Sequence, residues 1–239
     1  MWTNFEKKDS LRLKEPAMVI AVSTSIPQYR ALYSQARELA EYMLRKMPFE
    51  RIATIRSSAF PPEVLVRAEG VSTLPECGFY LHRGKRDVVL LGGDTSPMEG
   101  QYEFAQLVLG YAGELGVKEV YSIGARWTEN PLSPEADPQP CGFATDAEGV
   151  GRLEKEGVKI LRDEPAPFFA SMVVALAKER GMRGYKLSVD HGEPSPHARS
   201  VSKMLGVLSK LVGFEVEVEE LKAQAGPPVQ PKPDRGIYH

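Results

Sequence analysis

The chain alternates between short unbroken apolar runs and longer segments with a helical period. Four runs, AMVIAVST (17–24), DVVLLGGD (87–94), KEVYSIGA (118–125) and YKLSVD (185–190), are rich in β-branched residues and bounded by polar residues or glycine. A short apolar run of this kind predicts a strand covered on both faces, as in a parallel sheet. Weaker strand patterns occur at 50–60, 63–68 and 78–84, the last two reading as an antiparallel insert with alternating faces.

Helical patterns fill the intervals. Residues 28–47 place Leu32, Ala36, Leu39, Ala40 and Met43 on one stripe, and residues 100–116 do the same with Phe104, Leu107, Val108 and Tyr111. Residues 167–181 are apolar nearly all round, which predicts a buried helix. Residues 197–213 repeat apolar side chains at Val201, Leu205, Leu208 and Val212 and stop at Gly213; a short helix follows at 219–225. Strand–helix alternation of this kind predicts an α/β fold, doubly wound, with a mostly parallel sheet and flanking helices. The segment TENPLSPEADPQPCG (128–142), with four prolines, reads as a long loop.

Residues 1–225 read as a single α/β domain and residues 226–239 as a proline-rich tail. GPPVQPKPDRG (226–236) has neither helical nor strand period, so it predicts an extended spacer reaching about 35 Å. After it come Ile237, Tyr238 and His239, an isoleucine and a tyrosine that no core requires.

Composition narrows the function. Thirty basic against 32 acidic residues give a formal charge of -2, which argues against a nucleic-acid partner. Cys77 and Cys141 make neither a disulfide framework nor a metal pair and read as free thiols of a reducing compartment. The polar start lacks an apolar signal core and no run is long enough to span a bilayer, so the expectation is a cytoplasmic protein without a membrane partner.

Doubly wound sheets bind ligands at the C-terminal ends of their strands. GGDTSPMEG (92–100) offers Asp94, Thr95 and Ser96 but lacks a phosphate-loop or dinucleotide pattern, and it also fits a strand-to-helix turn capped by one of those side chains. DHGEPSPH (190–197) gathers Asp190, His191, Glu193 and His197 as metal ligands, an acid/base pair or a polar loop that docks a helix, with Ser195 as cap and Pro196 in the first turn. Asp94, Thr95, Ser96, Asp190 and His191 together define a possible cleft. A Ser96–His191–Asp190 triad lacks a nucleophile elbow, and adjacent Asp190 and His191 would point apart. Tyr102 and Trp127 read as packing aromatics, and no cofactor or metal is expected.

Residues 87–125, with CGFATDAEGVGRLEKEGVKIL (141–161) and PSPHARSVSKMLGVLSKLVGFEVEVEELKAQA (194–225), resemble the proteasome assembly chaperone family. The resemblance spans roughly residues 15–225 and departs from the family pattern at STSIP (23–27) and EPAPFFAS (164–171), where glycines are usual. It implies a nucleoside-phosphorylase-like fold without phosphorylase active-site residues, and self-association into a cyclic homo-oligomer. It also implies that Ile237, Tyr238 and His239 form a hydrophobic–Tyr–any tripeptide that docks between α-subunits of the 20S proteasome. The terminal carboxylate would pair with a lysine there, and several tails on one ring would combine weak contacts into avid binding. The function expected is that of a non-enzymatic assembly chaperone or ATP-independent activator. Two alternatives stand beside it: a ligase-like or phosphorylase-like small-molecule enzyme using the strand-end cleft, and a chaperone subunit that binds its partner through its body.

Overall fold

A computed structural model describes residues 1–8, 11–22, 35–124, 136–190 and 197–225. Its elements are β1 (Thr3–Lys7), β2 (Ala17–Val22), α1 (Gln35–Lys46), β3 (Glu50–Ser57), β4 (Leu65–Val66), β5 (Ser72–Thr73), β6 (Cys77–His82), β7 (Val88–Gly93), α2 (Gln101–Glu114), β8 (Glu119–Ile123), β9 (Gln139–Ala144), α3 (Ala147–Lys155), β10 (Lys159–Ile160), α4 (Phe169–Glu179), β11 (Arg183–Asp190), α5 (Ala198–Val212) and α6 (Glu219–Ala225).

Nine strands form one sheet in the order β1-β3-β6-β7-β2-β8-β11-β9-β10, while β4 and β5 pair with each other apart from it. The centre, β7-β2-β8-β11, is parallel throughout. Antiparallel β6, β3 and β1 extend one side, and β9 pairs antiparallel with β11 on the other. This is the predicted α/β architecture, with its four unbroken apolar runs as the four central strands.

Helices cover both faces. Along β2, Ala17, Val19 and Ala21 point to the layer of α1 and α5, whereas Met18, Ile20 and Val22 point to the layer of α2 and α4. The period of two therefore serves two cores, and β2 carries no polar side chain on either face. The predicted stripe of α5 is buried at Val201, Leu205, Leu208 and Val212, each contributing about 1.5–3 kcal/mol relative to exposure. The helix ends where Gly213 takes a φ of 89°, a left-handed conformation that glycine adopts without strain.

Several expectations are corrected. The proline-rich segment 128–142 is not all loop, because Gln139–Ala144 forms β9. Pro140 is tolerated there because β10 joins β9 only from Cys141 onward, so at Pro140 the strand has β11 as its one neighbour. Gly142 in that strand allows close approach, since a Cβ there would lie 2.0 Å from the Lys186 carbonyl oxygen. The pattern at 78–84 is not an insert: β6 belongs to the main sheet, between β3 and β7. The polar start contains the edge strand β1. Helix α3 is capped by Asp146, whose carboxylate accepts the Gly149 N–H at 2.6 Å. No side chain of 94–96 caps α2; its N-cap is Gly100. Helix α5 starts at Ala198 with His197 as its N-cap residue, and Ser195 and Pro196 lie outside the described residues. Tyr102, read as a packing aromatic, is 65% exposed.

Candidate functional site

The C-terminal ends of β7, β2, β8 and β11 meet at one edge of the sheet. Asp94, just beyond β7, accepts the Arg67 guanidinium at 3.2 Å and the Glu76 backbone N–H at 3.4 Å. Thr95 and Ser96 are buried, and the Thr95 carbonyl accepts the Cys77 thiol at 3.2 Å. Asp190 is buried at the end of β11. Because β2 and β8 intervene, the strand ends carrying Ser96 and Asp190 are three inter-strand spacings apart, about 14 Å. The predicted cleft residues thus fall into two separate groups rather than one constellation. His191, Glu193 and Trp127 lie outside the described residues. Among the described residues no group of three or more His, Cys, Asp or Glu side chains is arranged to hold a metal.

Sequence reading missed the most unusual titratable group at this edge. Lys186 is 2% exposed on β11, facing Ser122 across the pairing with β8. Its Nζ donates to the carbonyl oxygens of Gly124 at 3.1 Å and Leu187 at 3.0 Å. Burial pulls its pKa down from 10.5 to about 8. Nearby, Cys141 Sγ and Ser188 Oγ lie 3.3 Å apart. The alternation of Lys186, Ser188 and Asp190 with Tyr185, Leu187 and Val189 gives β11 the pattern of a strand with one solvated face. Helix α4 covers that face instead, and no residue type within the strand announces it.

At the opposite edge, Glu119 organises a ring of cations. It receives Arg86 at 2.7 Å and Arg152, while Arg183 reaches Asp146 at 2.9 Å and Glu148 at 2.6 Å. Arg152 also donates to the Tyr185 hydroxyl at 2.6 Å and to the Leu211 carbonyl of α5 at 3.1 Å. The rings of Tyr121 and Tyr185 stack at 4.5 Å beneath it. Burial would raise the Glu119 carboxyl, but the hydrogen bonds from Arg86 and Arg152 outweigh it and hold the group below 4.5. With these guanidiniums committed to carboxylates, hydroxyls and a helix-end carbonyl, this cluster ties α3, α5 and the sheet together.

The C-terminal end of α6 is held in place. The Ala225 carbonyl, last in α6, accepts Arg199 Nε at 3.2 Å and Nη2 at 3.0 Å. Helix α6 is bound to α1 by Glu220 with Arg45 at 2.9 Å and Lys46 at 2.5 Å, and the Tyr42 hydroxyl donates to the Glu217 carbonyl at 2.8 Å. The spacer 226–236 and Ile237, Tyr238 and His239 lie outside the described residues.

A family model described as the PAC2 family matches residues 36–226. The chain belongs to the PAC2 family. The proteasome-assembly-chaperone resemblance read from the sequence is thereby borne out. Among curated proteins, this PAC2 chain is similar to the uncharacterized protein MJ1210 of Methanocaldococcus jannaschii, 23% identical over 192 residues, covering 79% of this chain and 73% of that one. Among solved structures it is similar to Pyrococcus furiosus PbaB, an archaeal proteasome activator, with a TM-score of 0.78 and 19% identity over 93% of this chain and 94% of that one. Pyrococcus furiosus PbaA, an archaeal homologue of proteasome-assembly chaperone, matches with a TM-score of 0.69 and 20% identity over 93% and 87% of the two chains. At these identities the structural likeness carries the fold. No described helix is long and apolar enough to cross a membrane.

Proposed function

We propose that this PAC2 protein is a non-enzymatic proteasome assembly chaperone or ATP-independent activator. It inserts Ile237, Tyr238 and His239 into pockets between α-subunits of the 20S proteasome. The observation that carries this reading is a boundary. The family match ends at residue 226, α6 ends at Ala225, and the proline spacer begins at Gly226. A docking tripeptide therefore follows the family body through a spacer whose extended conformation lowers the cost of ordering on binding. The Arg199 hold on Ala225 fixes where that spacer starts, which narrows the volume the tripeptide explores and raises its effective concentration at a pocket. The tyrosine supplies buried area and a hydroxyl, and the isoleucine fills an apolar notch. Self-association of several copies presents several tails at once. The similar solved structures PbaB and PbaA are described as an archaeal proteasome activator and an archaeal homologue of proteasome-assembly chaperone, which agrees with this reading.

The test is co-sedimentation with 20S particles. Deleting residues 237–239, or substituting Tyr238→Ala, abolishes the association while circular dichroism stays unchanged. Undiminished association of both variants would refute tail docking and favour a partner surface on the body.

A further inference from the structure

The outer face of α5 lines a groove with a volume of about 650 Å³. One wall is α6, with Val218 just before it. The other is the approach to β9, Asp137 and Pro138, with Glu156 at the end of α3. Helix α5 presents Arg199, Lys203, Gly206 and Lys210 to the groove, at i, i+4, i+7 and i+11, so the four lie on one stripe. At 1.5 Å per residue that stripe runs about 16 Å. Buried Val207 and half-buried Val218 supply apolar lining, and Lys222 adds a fourth cation from α6.

We infer that this groove receives an amphipathic acidic helix of another protein, lying along α5. Three observations carry it. First, charge: four cations line the groove against two carboxylates, Asp137 and Glu156. Lys203 pairs with Asp137 at 2.8 Å, Lys210 with Glu156 at 3.3 Å and Lys222 with Glu219 at 2.7 Å, and each pair has a largely exposed member. Ion pairs in water are weak, so a partner's carboxylates can replace these. Arg199 is held in place by the Ala225 carbonyl. Second, space: Gly206 sits inside α5, where glycine is the least favourable residue after proline, and a Cβ there would meet nothing within 4 Å. The missing side chain lets a second backbone approach α5 closely. Third, spacing: cations at a helical period are matched by carboxylates at the same period, on a helix whose apolar side chains rest on Val207 and Val218. A fatty acid or small anion carries charge at one end only and leaves most of the stripe unmatched. The chain's own tail has Lys232 and Arg235 against Asp234 among its side chains, which does not suit a basic groove. The inference does not rest on tail docking, although the groove ends at Ala225, where the spacer begins.

The test is fluorescence anisotropy of the full chain with a labelled amphipathic peptide of leucine, alanine and glutamate, about fifteen residues long so that it can form a helix. The expected Kd is on the order of 10 μM at low salt. The same peptide with lysine in place of glutamate is expected not to bind. Gly206→Leu fills the groove without changing charge. It is expected to weaken binding at least about tenfold while Tm holds or rises, because leucine is the better helix former. Lys203→Glu/Lys210→Glu is expected to weaken binding as much, and decides the matter should Gly206→Leu fail to fold. Deleting 237–239 is expected to leave peptide binding unchanged, so groove and tail are tested separately. Absence of binding to the intact chain, equal binding of the lysine peptide, or wild-type binding by the folded groove variants would overturn the inference. Displacement of the acidic peptide by an equal concentration of a peptide of residues 226–239 would also overturn it, in favour of the chain's own tail as occupant.

Discussion

Lys186→Met offers the sharpest test of the buried edge. The ammonium is enclosed by protein and donates to two backbone carbonyls, and among the described residues no carboxylate lies in ion-pair range. Burial lowers its pKa from 10.5 to about 8, so the folded state binds this proton more weakly than the unfolded chain does. The sign follows from linkage. Below pH 8 both states are protonated and the full penalty applies. Between about 8 and 10.5 the unfolded chain holds more protons, so stability rises with pH. The lowering from 10.5 to about 8 corresponds to about 3 kcal/mol at pH 7, falling to about 2 kcal/mol at pH 9. The offset of Lys186→Met is blurred, because the variant also removes donors from two carbonyls. Its pH dependence is not. Buried Cys77 is pushed up by desolvation, and Tyr121 likewise, so both oppose the trend above pH 9, but wild type and variant share them. The assay is urea unfolding of both proteins from pH 7 to 9.5. The stability of wild type relative to Lys186→Met should improve by about 1 kcal/mol between pH 7 and 9. Parallel profiles would refute the claim that the lysine is buried without a counter-charge.

Two further outcomes are expected of the body. Glu119→Ala should destabilise by about 2 kcal/mol in chemical denaturation, less than a fully buried pair because solvent reaches Arg86 and Arg152. The Glu119 carboxyl is depressed in the folded state, so its contribution is present above pH 4.5 and lost as pH falls through the folded value; the variant should lack that part of the acid transition. Phe168 holds a φ of 72° with ψ of 164°, a region suited to glycine, so Phe168→Gly should gain about 1 kcal/mol, read as a rise in Tm of a few degrees. Unchanged or lower stability there would mean that the apolar contacts of the ring outweigh the strain. Phe168 stands within EPAPFFAS, where the family resemblance expects glycine, which gives the departure a physical consequence.

The hydrophobic pattern revealed the centre of the fold because burial on both faces forces it. Strands β2, β7 and β8 can sit between two helical layers only if nearly every residue is apolar or small, and such runs are conspicuous. The stripes of α1, α2 and α5 are visible for the same reason. At the edges the demand relaxes. In β1, Phe5 packs against Phe79 and Tyr111 while its neighbours meet solvent, so TNFEK carries little signal. Strand β9 is obscured by Pro140 and Gly142, which are permitted because one neighbour is missing at the first and space is short at the second. Helix α3 buries little beyond Gly149 and Leu153, too few for a period to show.

The expectation of a proline-rich tail at 226–239 rests on composition: proline without period, then Ile237 and Tyr238. The family, too, came from residues spread along the chain. What lay beyond the sequence was every property set by separation in space. That Ser96 and Asp190 stand about three strand spacings apart depends on the strand order, in which β2 and β8, distant in the chain, lie between their strands. That Lys186 is enclosed depends on α4 lying over β11. Local composition determines whether a residue can be buried; only the packing of elements distant in sequence decides which residues are.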